Sequence, residues 1–120
     1  MAKQGDLTSI IMFFRIKNRW QRDVTRAVLQ NVKMFTENYE LIILDSVAGD
    51  LTEPLKKEIR EEDTYLTFEE NLTTSKSLNL GVSKAKGKYI FFLANDVLVH
   101  QNWLSELVKH YRRSSLVKVL

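Results

Sequence analysis

The chain has 120 residues, of which 44% are hydrophobic, and it contains no cysteine. This length and composition are typical of one folded domain of about 100 to 150 residues, and the lack of cysteine excludes disulfides, thiol nucleophiles and thiolate metal sites. The formal net charge is only +3, with the positive residues spread along the chain, so we expect no nucleic-acid partner, because such proteins usually carry a basic stripe.

Three short apolar runs predict buried β-strands. They are TSIIMFF (residues 8–14), YELIILD (39–45) and KYIFFLA (88–94). Continuous runs of this length, rich in Ile and Phe, are typical of strands that are covered on both faces. The segment DTYLTFEE (63–70) alternates in part and predicts a further strand. All these runs fall far short of the roughly 18 apolar residues that a membrane span needs, so we expect no transmembrane segment.

Helical periodicity follows the first two strands and the last one. After the first strand, apolar residues recur every three or four positions, which predicts a helix lying on the sheet: Val24, Ala27, Val28, Val32 and Phe35. After the second strand, Thr52 is predicted to cap a helix with Pro54 in its first turn. Asn102 is predicted to cap the last helix, whose residues on one side are Trp103, Leu104, Leu107, Val108 and Tyr111. We also assign Trp20 to helix packing.

The remaining helix begins near Ser75, and its inward-facing residues are expected to be Leu78, Val82 and Ala85. Gly87 is placed to end it in the left-handed conformation. Strands and helices then alternate along the chain, which implies parallel strands joined by right-handed crossovers. The predicted fold is α/β, a three-layer α/β/α sandwich with a mostly parallel, Rossmann-like sheet, formed by residues 1–120 as a single domain.

Acidic residues stand where two of the predicted strands end. The run LIILD ends in Asp45, the run FFLAND ends in Asp96, and the small-residue turn SVAGD adds Asp50. Ligands of an open parallel sheet bind beyond the carboxyl ends of its strands, so these acids are candidates for a site. Each acid alone also fits a turn or cap role, because an aspartate after a strand can bond nearby backbone N–H groups.

Four segments, in this order and spacing, resemble the N-terminal, nucleotide-binding part of a family 2 glycosyltransferase with the GT-A fold. TSIIMFFRIKNRW stands where such enzymes have a strand, a Pro-x-Tyr-Asn turn and a helix, and YELIILDSVAGD resembles their strand followed by Asp-Asp-Gly-Ser-x-Asp. NLGVSKAKGKYIFFLANDV resembles their Asn-x-Gly helix, glycine, strand and Asp-x-Asp metal motif. NWLSELV resembles the Trp-Leu pair that follows.

The resemblance implies a role for each matching residue. Asp45 would hydrogen-bond the base of a nucleotide sugar, and Asp50 would steady the loop that holds it. Asn79 matches the asparagine ahead of a glycine, near the nucleotide, and Asn95 is assigned to the nucleotide as part of the last motif. The resemblance thus implies that binding of a nucleoside diphosphate sugar is divided between residues at the ends of two strands and one helix.

The metal part of the pattern is only half present. Asp96 matches the second acid of the motif, so the resemblance implies that it holds Mg²⁺ or Mn²⁺ against the diphosphate, whose negative charge grows as the glycosyl group leaves. Ala94 stands where a first acidic ligand is usual, which leaves metal binding open. No residue is assigned as the catalytic base, because in the family that residue lies beyond the matching segments.

The implied function is that of a glycosyltransferase domain binding a nucleotide sugar, UDP-sugar being our first choice, for transfer to a glycan or lipid-linked acceptor. We expect the isolated chain to be incomplete without its acceptor half, and to form a homo-oligomer or join a partner chain, since a sheet cut short exposes an edge. We expect a cytoplasmic location, free or at the cytoplasmic face of the membrane. The alternative is a non-catalytic α/β binding or assembly module of the same fold.

Overall fold

Strands and helices alternate in the structure, a computed structural model that describes residues 6–68 and 73–113. The elements are β1 (Thr8–Phe14), α1 (Arg19–Phe35), β2 (Tyr39–Asp45), a 3₁₀ helix (Glu53–Glu58), β3 (Thr64–Thr67), α2 (Thr74–Lys84), β4 (Tyr89–Phe92) and α3 (Trp103–Arg113). The four strands predicted from the sequence are therefore present. The second predicted helix is the short 3₁₀ helix rather than an α-helix.

The four strands form one parallel sheet with the order β3-β2-β1-β4. The chain moves outward from β1 to β2 and β3, and then returns to the other side of β1 to form β4. The strand order therefore reverses between β1 and β4, which is the place where open α/β sheets bind ligands. Register brings Asp45 level with Phe14 on one side and with Thr67 on the other, so three strands end together.

Each face of the sheet packs against its own helices, because alternate residues of a strand point to opposite faces. One face, with α1, the 3₁₀ helix and α3, buries the larger cluster, which includes Ile10, Met12, Phe14, Leu41 and Ile43. The other face packs against α2 and buries Ile11, Ile42 and Leu44. Helices thus cover both faces of a parallel sheet, and the predicted α/β/α fold class is confirmed.

Helix α1 begins where the sequence supplies a cap. Asn18 is extended, and its Oδ1 accepts a hydrogen bond from the Gln21 N–H at 2.8 Å. The buried residues of the helix are Thr25, Val28, Leu29 and Val32. Ala27 and Trp20, which we expected to pack, are exposed, with Trp20 at 72%. Trp20 precedes Thr25 by five residues, which places it about 140° round the helix from the stripe that faces the sheet.

Helix α2 differs from the prediction at its end and on its buried face. It ends at Lys84 with Ala85 in an extended conformation, and no glycine in the described residues has a positive φ. The prediction that Gly87 is left-handed was therefore wrong. Glycine fits this position because the space is small: a Cβ would lie 2.7 Å from backbone atoms of Leu7 and Ser9. Gly81 faces the sheet. Val82, which we expected to face inward, is 36% exposed.

The two predicted caps differ from typical capping residues. Thr52 is buried, and its hydroxyl donates to the Gly49 carbonyl and accepts from the Gly49 N–H, both at 3.1 Å. It therefore closes a turn instead of capping the 3₁₀ helix. Asn102 has a φ of 67°, in the left-handed region, whereas a capping residue is usually extended. Leu107, predicted on the packed side of α3, is 39% exposed.

Candidate functional site

The candidate site lies at the carboxyl edge of the sheet, on both sides of β1. Strand β2 ends there at Asp45, and the chain leaves β4 after Phe92 and passes through Asn95 and Asp96. Because β1 separates β2 from β4 and neighbouring strands lie about 4.8 Å apart, the two strands are about 10 Å apart across the sheet. Strand β4 ends level with Ile11 and β2 ends level with Phe14, so β4 stops three residues earlier along β1. The space between β2 and β4 contains the point where the strand order reverses.

Asp45 is fully buried, with 0% of its surface exposed. Its Oδ1 accepts a hydrogen bond from the Val47 N–H at 3.1 Å, and its Oδ2 accepts one from the Tyr65 hydroxyl. The first of these bonds is the turn interaction that an aspartate after a strand commonly makes. Asp45 therefore has a structural role in this conformation, and both of its oxygens are already hydrogen-bonded.

Tyr65 was not anticipated from the sequence. It stands opposite Ile43 in β3, and its ring packs edge-on to Phe14 with centroids 6.4 Å apart, while Lys56 Nζ lies 5.3 Å from the ring centroid. Burial raises the pKa of Tyr65 above its ordinary value of 10.0, and the hydrogen bond to Asp45 raises it further. The hydroxyl is consequently a neutral donor at physiological pH.

The loop after β2 bonds to the Asp45 carboxylate through the Val47 N–H. It starts with the Ser46 N–H, which donates to the Phe14 carbonyl at 3.3 Å, and it closes in the turn between Gly49 and Thr52. Asp50 lies in this turn with its side chain exposed. The loop thus joins the ends of β1 and β2, and it exposes Asp50 to solvent.

The segment beyond β4 is held against α1 on both sides of Asp96. Asn95 Nδ2 donates to Thr25 Oγ1 at 3.0 Å. Further on, Val99 makes two hydrogen bonds with the Asn31 side chain, at 2.6 and 3.0 Å. Asp96 itself is exposed in a turn between these anchors. The arrangement fixes the backbone and leaves the carboxylate free to contact a ligand at the edge of the sheet.

The residues at this edge fit a shared metal ion rather than one enclosed by protein. Among the described residues there is no group of three or more His, Cys, Asp or Glu side chains that could hold a metal, and Ala94 offers no ligand. Mg²⁺, however, is usually bound by one or two carboxylates together with substrate phosphates and water. Asp96 could supply one such carboxylate.

Asn79 lies apart from the other predicted residues. It is exposed on α2, which covers the face of the sheet opposite to the one that holds Asp45 and Tyr65. Two residues later, Gly81 brings the helix close to the sheet, since a Cβ there would lie 3.2 Å from Ile11 and Leu44 side-chain atoms. The structure therefore groups Asp45 with Asp50 and Asn95 with Asp96, and it places Asn79 across the sheet.

A cavity of about 340 Å³ lies at the opposite, amino-terminal edge. Its residues Arg60 and Glu40 bond to the protein itself. Arg60 binds Asp63 at 2.7 Å and the Tyr39 carbonyl at 2.9 Å, and the buried Glu40 accepts from Ser9 at 2.6 Å. This cavity is built around structural contacts, so we place the candidate site at the carboxyl edge.

Comparison with known proteins identifies the family. The family model described as Glycosyl transferase family 2 matches residues 9–118. The chain belongs to glycosyl transferase family 2. This family 2 chain is 23% identical over 111 residues to the glycosyltransferase GlyA of Streptococcus pneumoniae, and 29% identical over 121 residues to an uncharacterized glycosyltransferase of Rickettsia bellii. These matches cover 91% and 98% of the chain but only 15% and 17% of the relatives.

A solved structure supports the same fold. The crystal structure of Staphylococcus aureus TarS residues 1–349 matches with a TM-score of 0.67 and 14% identity, over 89% of this chain and 32% of that one. The family 2 chain therefore shares its α/β fold with part of a larger protein. In the residues that the structure describes, no helix is both long and apolar enough to cross a membrane.

Proposed function

We propose that this family 2 chain binds a nucleoside diphosphate sugar, with UDP-sugar as the donor class, for glycosyl transfer to a glycan or lipid-linked acceptor. The observation that carries the proposal is the placement of Asp45 and Asp96 at one edge of the sheet, on either side of the reversal in strand order. Family membership supports glycosyl transfer in general. The donor class rests on the carboxylates and on their positions.

The proposed roles follow from the family pattern and from chemistry. Asp45 and the loop that carries Asp50 receive the base, since a carboxylate accepts hydrogen bonds from a ring N–H. Asp96 and Asn95 face the diphosphate. For Asn79, which is exposed on α2 across the sheet, only the family pattern supports contact with the nucleotide. A bound Mg²⁺ or Mn²⁺ would neutralise the charge that grows on the leaving diphosphate. Among the residues of the chain, Asp96 would hold that ion, and the anchors on α1 would keep its carboxylate in position.

We further propose that 1–120 forms one domain, the donor half of the site, and that an acceptor half is supplied by other sequence, by a second copy or by a partner chain. The chain spans only 15% and 17% of the two curated relatives, which supports additional sequence in the complete enzymes. In our proposal the nucleotide sugar comes from the cytosol. The protein would therefore act in the cytoplasm, either free or at the membrane surface.

A second candidate function is a non-catalytic α/β module. The observation that favours it is the state of Asp45, which is fully buried with both oxygens hydrogen-bonded. In that reading the aspartate only shapes the turn after β2. The two candidates differ in a single measurable property, which is the affinity of the chain for a nucleoside diphosphate.

Isothermal titration calorimetry tests the proposal. UDP, and GDP for comparison, are titrated with and without Mn²⁺ into the wild-type chain, Asp96→Ala and the control Glu106→Ala, which removes an exposed carboxylate on α3. The proposal predicts metal-dependent binding of UDP that Asp96→Ala abolishes and Glu106→Ala leaves unchanged. No binding of either nucleotide at millimolar concentration would favour the module instead.

A further inference from the structure

The Tyr65 hydroxyl occupies the position at Asp45 that the proposed donor base needs. Its O–H donates to Asp45 Oδ2 while the Val47 N–H donates to Oδ1. Asp45 is 0% exposed, so no ligand atom can touch the carboxylate in this conformation. A base can therefore reach Asp45 only if the group in front of it moves.

Tyr65 is the side chain that can make this movement. It is half-buried, whereas Phe14 beneath its ring is 1% exposed and belongs to the core. The Val47 N–H, in contrast, is part of the backbone turn that follows β2. A rotation of the Tyr65 side chain towards solvent would uncover Oδ2 and leave that turn intact.

We propose that the Tyr65 hydroxyl is the group that the donor base replaces at Asp45, which makes Tyr65 a competitor of the base. This inference rests on the proposed donor-binding function. The hydroxyl is a hydrogen-bond donor, and only another donor can take its place on a carboxylate. A lactam or imide ring N–H, as in uracil or guanine, fulfils this requirement. A ring nitrogen with only a lone pair would face the carboxylate unfavourably.

The exchange predicts opposite effects of one substitution on stability and on affinity. Tyr65→Phe keeps the ring but removes the donor, so Oδ2 is left buried without its hydrogen bond, which destabilises the fold. The same substitution removes the competitor of the base, so nucleotide binding becomes tighter. A tyrosine that merely held the carboxylate in place would lose stability and affinity together.

The test combines calorimetry with thermal unfolding of the intact chain. UDP and N3-methyl-UDP, which lacks the imide N–H, are titrated into wild type, Tyr65→Phe and the control Tyr111→Phe. Tyr111 packs against Tyr89 of β4, at the opposite edge of the sheet from β3. We expect Tyr65→Phe to melt lower and to bind UDP at least threefold tighter than wild type, with no such gain for N3-methyl-UDP or in the control.

A measurement on the wild-type chain covers the case in which Tyr65→Phe does not fold. With carbon-13 at tyrosine Cζ, saturating UDP should shift the Tyr65 signal, because its hydroxyl leaves the carboxylate. UDP binding with an unmoved Tyr65 signal, or with equal or weaker affinity in Tyr65→Phe, would overturn the inference and leave the proposed function standing. An absence of UDP binding to wild type and variant alike would overturn both.

Discussion

Replacement of Gly87 by alanine tests the packing at the amino-terminal end of the sheet. A Cβ at this position would lie 2.7 Å from the Leu7 carbonyl oxygen, the Ser9 nitrogen and the Ser9 hydroxyl, distances that real Cβ atoms do not adopt. Two of these three atoms belong to the backbone of Leu7 and Ser9, so they cannot move aside as a flexible side chain would. Because no described glycine has a positive φ, the penalty is steric and not conformational.

The cost can be estimated from the contacts that must shift. Overpacking of a tight site costs about 1 to 3 kcal/mol. Gly87 N–H donates to Ser9 Oγ at 2.8 Å and Lys88 N–H donates to the Leu7 carbonyl at 2.8 Å, and each hydrogen bond contributes about 1 kcal/mol. We therefore expect Gly87→Ala to lower the free energy of unfolding by about 3 kcal/mol. For a chain of this size, that corresponds to a fall in Tm of roughly 10 °C.

Thermal unfolding followed by circular dichroism measures this change. Gly49→Ala is the matched control, because a Cβ there meets no atom within 4 Å and the residue is not left-handed. It should leave Tm unchanged or raise it slightly, since alanine restricts the unfolded chain. A Gly87→Ala variant that melts within about 2 °C of wild type would refute the close approach to β1.

Three further predictions concern local contacts. Asn18→Ala should lower the stability by about 1 kcal/mol, through loss of the cap on α1, as measured by urea unfolding. Asp63→Asn should lower the stability by more in the same assay. The buried carboxylate binds Arg60 at 2.7 Å and accepts hydrogen bonds with both oxygens, whereas an amide has only one acceptor oxygen. Hydrogen bonding from Gln30 lowers the pKa of Glu58 below its ordinary 4.5. Glu58 therefore stabilises the fold above that pH and ceases to do so as the pH falls further, and Gln30→Ala should reduce this loss in a pH series of melts.

The edge strands β3 and β4 are partly exposed, with Phe92 at 43%, although KYIFFLA was expected to be covered on both faces. The sequence predicts β1 and β2 best, because these central strands are buried on both faces. Such strands are continuous apolar runs, and YELIILD corresponds to β2 residue for residue. Helix positions are predicted less well, since periodicity shows that one side is apolar but does not show how close the helix lies to the sheet. Val82 and Gly87 illustrate this limit: their environments depend on how closely α2 and the turn before β4 approach β1.

The residues of the candidate site were also predicted only in part. The acids could be found from the sequence because Asp45 ends an apolar run directly and Asp96 follows another after one asparagine. Tyr65 could not, since its contact with Asp45 depends on the register between β2 and β3, which pairs Ile43 with Tyr65, and neither strand encodes that register by itself. Trp20 was predicted to pack because it is large and aromatic, but its position on α1 places it in solvent.

The central claim is that a metal-bound nucleoside diphosphate lies across the carboxyl edge, between the strand ends of β2 and β4. Paramagnetic broadening by Mn²⁺ locates such an ion directly, in nitrogen-15 spectra of the chain with UDP present. We predict that the signals of Asp96 and its neighbours broaden first, that those around Asp45 and Asp50 shift on UDP binding, and that Asp96→Ala removes the broadening. Broadening centred on the opposite edge, near Arg60 and Lys86, or no UDP-dependent change at all, would contradict the account.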